Sequence, residues 1–238
     1  MSNTPTVVLL HGAFTDGASW SPVVLYLQGA GVTVRVPALT NRSLAEDAAY
    51  VRAFVERIPG DVLLVGHSYG AAVAGVAGGA RNVRGIMFVS GYALDEGESL
   101  SDVHARFPDA EAVPFFERVT YVDVAGSDRE EISVAADEFP FVTALGVPAD
   151  EAGVLAVIQR PLTTAALTEP APSAAWRTTP TWGIVSASDR TLNPDAVRWT
   201  LARANVRWVV ELPGPHLLMH THPAEIARAI QDAAAEIG

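Results

Sequence analysis

The chain has 238 residues, 49% of them hydrophobic, with a formal net charge of −11 and no cysteine. That length and apolar share support a sizeable core and exclude a disordered chain. The acidic balance argues against nucleic acid or an anionic membrane as partner, and the missing thiols exclude disulfides, thiolate catalysis and Cys-based zinc sites.

Every basic residue is arginine, so no Schiff base and no lysine acid or base can form. The opening MSNTPTVVLLHG has no basic n-region and no long apolar h-region, so no signal peptide is expected. No run approaches the ~18 apolar residues a membrane span needs. A cytoplasmic enzyme is the expectation.

Thr6 to Leu10 is a continuous apolar, β-branched run and predicts a buried strand. A helical pattern runs from Trp20 to Leu27 and stops at Gly29 and Gly31. Val32 to Val36 predicts a second strand, closed by Pro37. Ser43 to Ile58 is the clearest helix, with Ser43 and Glu46 in a capping-box pattern and Leu44, Ala48, Val51 and Val55 on one stripe. Asp61 to Val65 and Gly85 to Val89 predict strands on either side of a small-residue helix, Ala71 to Gly79.

The rhythm breaks from Tyr92 to Thr179, which holds helical pieces, Pro-rich joints and one hairpin pattern near Val119 to Val134. It resumes with a strand at Thr181 to Val185. A helix follows at Asp195 to Ala204, with Asn193-Pro194 as N-cap and N1. A strand at Val206 to Leu212 and a helix at Pro223 to Ile237 close the chain.

Apolar strands alternating with helices imply a mainly parallel sheet of about six strands, covered on both faces. The expected organisation is an α/β core, 1–91 and 180–238, interrupted by a mostly helical lid, 92–179. An apolar insertion placed after sheet strands is expected over their C-terminal ends, where open α/β sheets bind ligands.

VGHSYG, residues 65–70, fits G-x-S-x-G between a predicted strand and a predicted helix. That turn projects a serine above the sheet, and the glycines on either side spare it a collision. The helix start aims N–H groups at the site, which favours developing negative charge. A serine that merely caps the helix is the bland alternative. It loses weight because the partners fall into place: Asp189 follows the strand at Thr181 to Val185, and His216 follows the strand at Val206 to Leu212. The order Ser, Asp, His is the one this architecture uses.

Asp95, after the strand ending at Val89, is a rival acid. His216, His220 and His222 lie close enough to raise a metal cluster, but no H-E-x-x-H pattern accompanies them. His104 reads as a surface residue of the insertion, and His67 as a packing residue. The loop His11-Gly12-Ala13-Phe14 ends the first strand, which makes the N–H groups of Ala13 and Tyr69 the candidate oxyanion donors.

These motifs, together with GYALDEGES, QRPLTTAALTEPAP, SASDRTLNPDA and GPHLLMHTHPAEIA, resemble the capped esterase group of the α/β-hydrolases. That group includes plant methyl-ester esterases, hydroxynitrile lyases and many bacterial esterases. The resemblance spans nearly the whole chain and implies Ser68 as nucleophile, His216 as base, Asp189 as acid, and Ala13 and Tyr69 as oxyanion donors.

The expected activity is hydrolysis of small to medium apolar or aromatic carboxylic esters, with no metal and no organic cofactor. Phe14 and, from the insertion, Phe107, Phe139 and Trp176 are candidate substrate contacts. The partner expectations are a small-molecule ester, no nucleic acid, no membrane and a possible homodimer. A C–C lyase of hydroxynitrile-lyase type and a slow hydrolase-fold receptor are the alternatives. The resembling lyases carry a lysine directly after the catalytic histidine, where this chain has Leu217.

Overall fold

A computed structural model of the protein describes residues 4–238; the first three residues of the expected core segment lie outside it. The chain opens with strands β1 (Thr6–Leu10), β2 (Val34–Arg35), β3 (Val62–His67) and β4 (Val83–Val89). Residues 92–179 add β5 (Phe116–Val122), β6 (Asp128–Val134) and β7 (Leu162–Thr163), and β8 (Thr181–Ser186) and β9 (Val209–Leu212) follow. Six strands form one parallel sheet in the order β2-β1-β3-β4-β8-β9. All six C-terminal ends therefore point to one edge, and the loops after β1, β3, β4, β8 and β9 gather there.

The central strands are continuous apolar runs because helices cover both faces. Every residue of β3 and β8 is buried. The edge strands are shorter than their apolar runs. Val32 turns its N–H back to Leu27 O, leaving two residues for β2. At the other edge Val206 bonds back to Leu201 O, so β9 starts at Val209.

Among the helices, α1 (Ser21–Gly29), α2 (Leu44–Val55) and α3 (Tyr69–Ala77) belong to the first half of the sheet. Ser43 caps α2 by accepting Glu46 N–H, but among the described residues the Glu46 side chain makes no return bond to Ser43 N. The carboxylate of Glu169, from the insertion, accepts from Leu44 N at 2.6 Å and from the Ser43 hydroxyl at 3.0 Å. An anion at a helix N-terminus is favoured by the exposed N–H groups and the macrodipole.

Residues 92–179 contain α4 (Leu100–His104), α5 (Phe139–Val142), α6 (Ala149–Val157) and α7 (Thr164–Thr168). The hairpin pattern is β5 and β6, paired from Phe116↔Val134 to Val122↔Asp128, and β7 adds a third antiparallel strand. Ile132, Val134 and Leu162 on this small sheet are buried. The core resumes with α8 (Pro194–Arg203), a short α9 (Leu218–Thr221) and α10 (Pro223–Ala235). Asn193 caps α8 by accepting Asp195 N–H, with Pro194 at N1 as expected. Among the described residues no helix is long and apolar enough to cross a membrane.

Candidate active site

Ser68 stands between β3 and α3 with φ 53° and ψ −122°, a left-handed backbone that a non-glycine residue adopts only under constraint. Two neighbours make the turn possible by having no side chain. A Cβ on Gly66 would overlap the carbonyl of Gly70, and a Cβ on Gly70 would sit 2.5 Å from His11 O and 2.6 Å from Leu10 O. These are backbone atoms of sheet and turn and cannot step aside. Gly70→Ala is therefore expected to destabilise the protein by roughly 1–3 kcal/mol, read as a lowered denaturant midpoint. An unchanged midpoint would show that the turn has slack.

The loop after β8 delivers Asp189 and the loop after β9 delivers His216. Ser186 ties the two together, its hydroxyl bonding the carbonyls of Gly214 and Pro215. The Asp189 side chain is 1% exposed and all its bonds converge. Oδ1 accepts from Thr191 N at 2.8 Å and Leu192 N at 2.9 Å; Oδ2 accepts from His216 Nδ1 at 2.7 Å. The proton is thus on Nδ1, and Nε2 keeps its lone pair. Nε2 is buried and, among the described residues, has no hydrogen-bond partner. The Ser68 hydroxyl has none either, and it faces a cavity of 230 Å³.

His67, the residue before Ser68, packs as expected, and what it packs against is His216. The ring centroids are 4.6 Å apart, and His67 Nε2 donates to His216 O at 2.9 Å. Burial, then the neighbouring His216, holds the His67 imidazole well below its usual pKa, so it stays neutral beside the second ring.

Tyr69 is the first residue of α3, so its N–H has no intrahelical acceptor. Its phenol is fixed from behind, donating to Asp47 Oδ2 at 2.9 Å. Asp47 is buried but fully engaged, since Thr40 N, the Thr40 hydroxyl and Asn41 N also donate to it. Burial and then Asp47 push the Tyr69 phenol pKa up, which keeps it protonated. Across the cavity Phe14 is at φ 63° and gives its N–H to Arg160 O at 2.8 Å, while among the described residues the N–H of Ala13 makes no backbone hydrogen bond.

Phe14 and Phe107 line the cavity, with Phe116, Ile132, Leu162 and Leu167. The expectation for Phe139 and Trp176 does not hold. Phe139 is fully buried in the hydrophobic core, and Trp176 donates to Leu94 O at 2.7 Å with its ring against Arg177. Both anchor the insertion and neither borders the cavity. His104 is also corrected: its Nε2 is buried and it lines the cavity, because α4 turns it inward.

Asp95, the rival acid, is held by Arg177, with Nε–Oδ1 at 2.9 Å, and does not bond His216. The three clustered histidines diverge. His216 bonds Asp189, His220 bonds Glu151 at 2.6 Å, and His222 bonds Thr221 Oγ1. Sequence reasoning missed Asp47. A signal existed, since a carboxylate on the apolar stripe of α2, between Leu44 and Val51, needs partners.

The buried histidines carry a pH signature. Burial lowers the pKa of His11 and, further, of His67. The unfolded chain therefore takes up protons first, and stability present above the unfolded value of ~6.5 is lost as pH falls below it. His67, whose pKa is lowered further, is expected to account for the larger part of that loss. Glu211 and Glu236, whose pKa is lowered by bonds from Arg198 and from Trp208, contribute stability above roughly pH 4.5 and lose it only as pH falls below that. Urea midpoints compared at about pH 7.5 and about pH 5 test this, with a smaller drop expected for His67→Gln. Equal drops in both proteins would remove His67 from the account.

A serine raised on a strained strand-to-helix turn above a parallel sheet defines a class, the α/β-hydrolase fold. The chain belongs to it: the model of the Alpha/beta hydrolase family matches residues 7–229. No curated relative matches the chain. Among solved structures it is similar to polyneuridine aldehyde esterase at 16% identity and TM-score 0.83, covering 97% of this chain and 99% of that one. It is similar to a pyrethroid hydrolase from Sphingobium faniae JZ-2 at 22% identity and TM-score 0.75, covering 97% of each chain. A methylesterase from Arabidopsis aligns at 13% identity and TM-score 0.79, covering 97% of this chain and 99% of that one. At these identities the likeness is one of fold.

Proposed function

We propose that the protein is a carboxylesterase-type serine hydrolase acting on small to medium apolar or aromatic esters. The observation that carries this is the 2.7 Å bond between Asp189 Oδ2 and His216 Nδ1, which leaves Nε2 with a free lone pair on a ring packed against His67, the residue before Ser68. Ser68 Oγ attacks the ester carbonyl as its proton passes to His216 Nε2. The N–H groups of Ala13 and Tyr69 donate to the tetrahedral oxyanion. His216 returns the proton to the leaving alcohol. Water then attacks the acyl-enzyme, giving its proton to His216, and Ser68 recovers that proton as the carboxylic acid departs. Asp189 holds the imidazole in the required tautomer and stabilises the imidazolium. Resting serine–histidine bonds tighten when substrate arrives, so an open one is compatible with this role.

Residues 92–179 act as the cap. The cavity of 230 Å³ holds on the order of eight water-sized groups, and its aliphatic and aromatic walls favour an apolar chain or ring. Leu217, directly after His216, is fully buried and neutral, so no cation at that position assists a departing cyanide. The test offers a panel of p-nitrophenyl esters and mandelonitrile in parallel, with spontaneous decay subtracted. Ester turnover without enzyme-dependent benzaldehyde release is expected. Benzaldehyde released as fast as esters turn over would make the protein a lyase.

A further inference from the structure

The Ser68 cavity is apolar over most of its wall, yet two of its lining residues carry a buried polar atom with no partner among the described residues. Tyr92 is 1% exposed and, among the described residues, its hydroxyl makes no hydrogen bond. His104 Nε2 is likewise buried and unbonded. Both residues line the cavity that Ser68 lines, and their rings meet edge to face with centroids 5.3 Å apart. Neither placement is loose. A Cβ on Gly91 would sit 2.9 Å from Ser68 N, so Tyr92 leaves the sheet directly beside the nucleophile's backbone. His104 ends α4, which a reciprocal capping box between Ser99 and Asp102 secures.

Buried polar groups are almost always hydrogen-bonded, so two orphans on neighbouring residues that line one cavity point to a ligand. Burial keeps both groups neutral: it raises the pKa of the Tyr92 phenol and lowers that of His104. A phenol O–H and a neutral imidazole match an uncharged oxygen. Arg118, a cation lining the cavity, is already paired with Glu130, and a carboxylate would meet the charge of Asp189 near Tyr92 and of Asp109 near His104. An ammonium would have to shed its water against Leu100, Phe107, Leu192 and Ala196.

We propose that Tyr92 and His104 form a hydrogen-bonding subsite of this cavity that takes a neutral ketone or hydroxyl oxygen of the substrate, distinct from the scissile ester. The proposal rests on Ser68 being the nucleophile. It implies that the preferred esters are oxygenated, and that plain hydrocarbon esters leave the pair unsatisfied.

The experiment uses matched ester sets in which one methylene, at successive positions of the acyl or the alcohol chain, is replaced by a ketone or a hydroxymethylene. At one position the oxygenated ester is expected to exceed its parent in kcat/KM by on the order of tenfold. In Tyr92→Phe that ratio is expected to fall towards one, and in His104→Leu to fall as well. The proposal is overturned if no oxygenated ester is preferred at any position, if amine or carboxylate analogues are preferred instead, or if the ratio is unchanged in Tyr92→Phe. A binding arm separates the subsite from the chemistry. Calorimetry on Ser68→Ala compares a ketone with its hydrocarbon counterpart, with and without Tyr92→Phe. Failure of every ester to turn over would sink the hydrolase assignment, while the subsite would still stand or fall on whether the ketone binds preferentially and loses that preference in the double variant.

Discussion

Ser68→Ala is expected to abolish ester turnover, with kcat falling by a factor on the order of 10⁶, the scale seen when a nucleophile is removed from such a unit. A fluorophosphonate probe should label the parent once, on the peptide containing Ser68, and leave the variant unlabelled. The fold should survive, because among the described residues the resting hydroxyl makes no hydrogen bond and alanine keeps the same Cβ on the same strained turn. Circular dichroism and a denaturant midpoint check that point. Labelling that persists in a folded Ser68→Ala protein would place the nucleophile elsewhere.

Asp189→Asn is expected to lower kcat by roughly 10⁴ with little change in fold, by the tautomer logic of the serine-protease example. The geometry gives the reason. Thr191 N and Leu192 N both donate to Oδ1, so an asparagine would keep its carbonyl oxygen there. Its amide NH₂ would then face His216 Nδ1, which must become an acceptor. The ring proton moves to Nε2, and the histidine can no longer take a proton from Ser68. Asp95→Asn removes a half-buried partner of the exposed Arg177 and is expected to leave kcat within about twofold, since surface ion pairs contribute little. Steady-state kinetics on both variants decides. A larger loss in Asp95→Asn than in Asp189→Asn would transfer the acid's role to the loop after β4.

Much of the site was legible because it is encoded locally. A strand is an unbroken apolar run, and a sharp strand-to-helix turn needs Gly66 and Gly70, whose reasons lie within a few residues. Asp189 and His216 could be placed because each directly follows such a run, and parallel topology brings every strand's C-terminal end to one edge. The cap on α8 was legible for the same reason, since Asn193 and Asp195 are neighbours.

Tertiary structure decided what depends on distant partners. The first turn of α2 is completed by Glu169, far along the chain, because a long carboxylate from the insertion reaches the open N–H groups. Asp95 and Asp189 each follow a strand, and only their contacts, Arg177 for one and His216 for the other, tell them apart. Aromatic content could not divide Phe107 at the cavity from Phe139 in the core and Trp176 on Arg177, because type alone does not set the direction of a side chain. The sequence by itself determined the parallel sheet and the order serine, acid, histidine along it, through patterns that neighbouring residues complete. Only the tertiary structure decided which carboxylate meets His216 and that Tyr92 and His104 border the cavity, because those outcomes belong to packing between segments far apart in the chain.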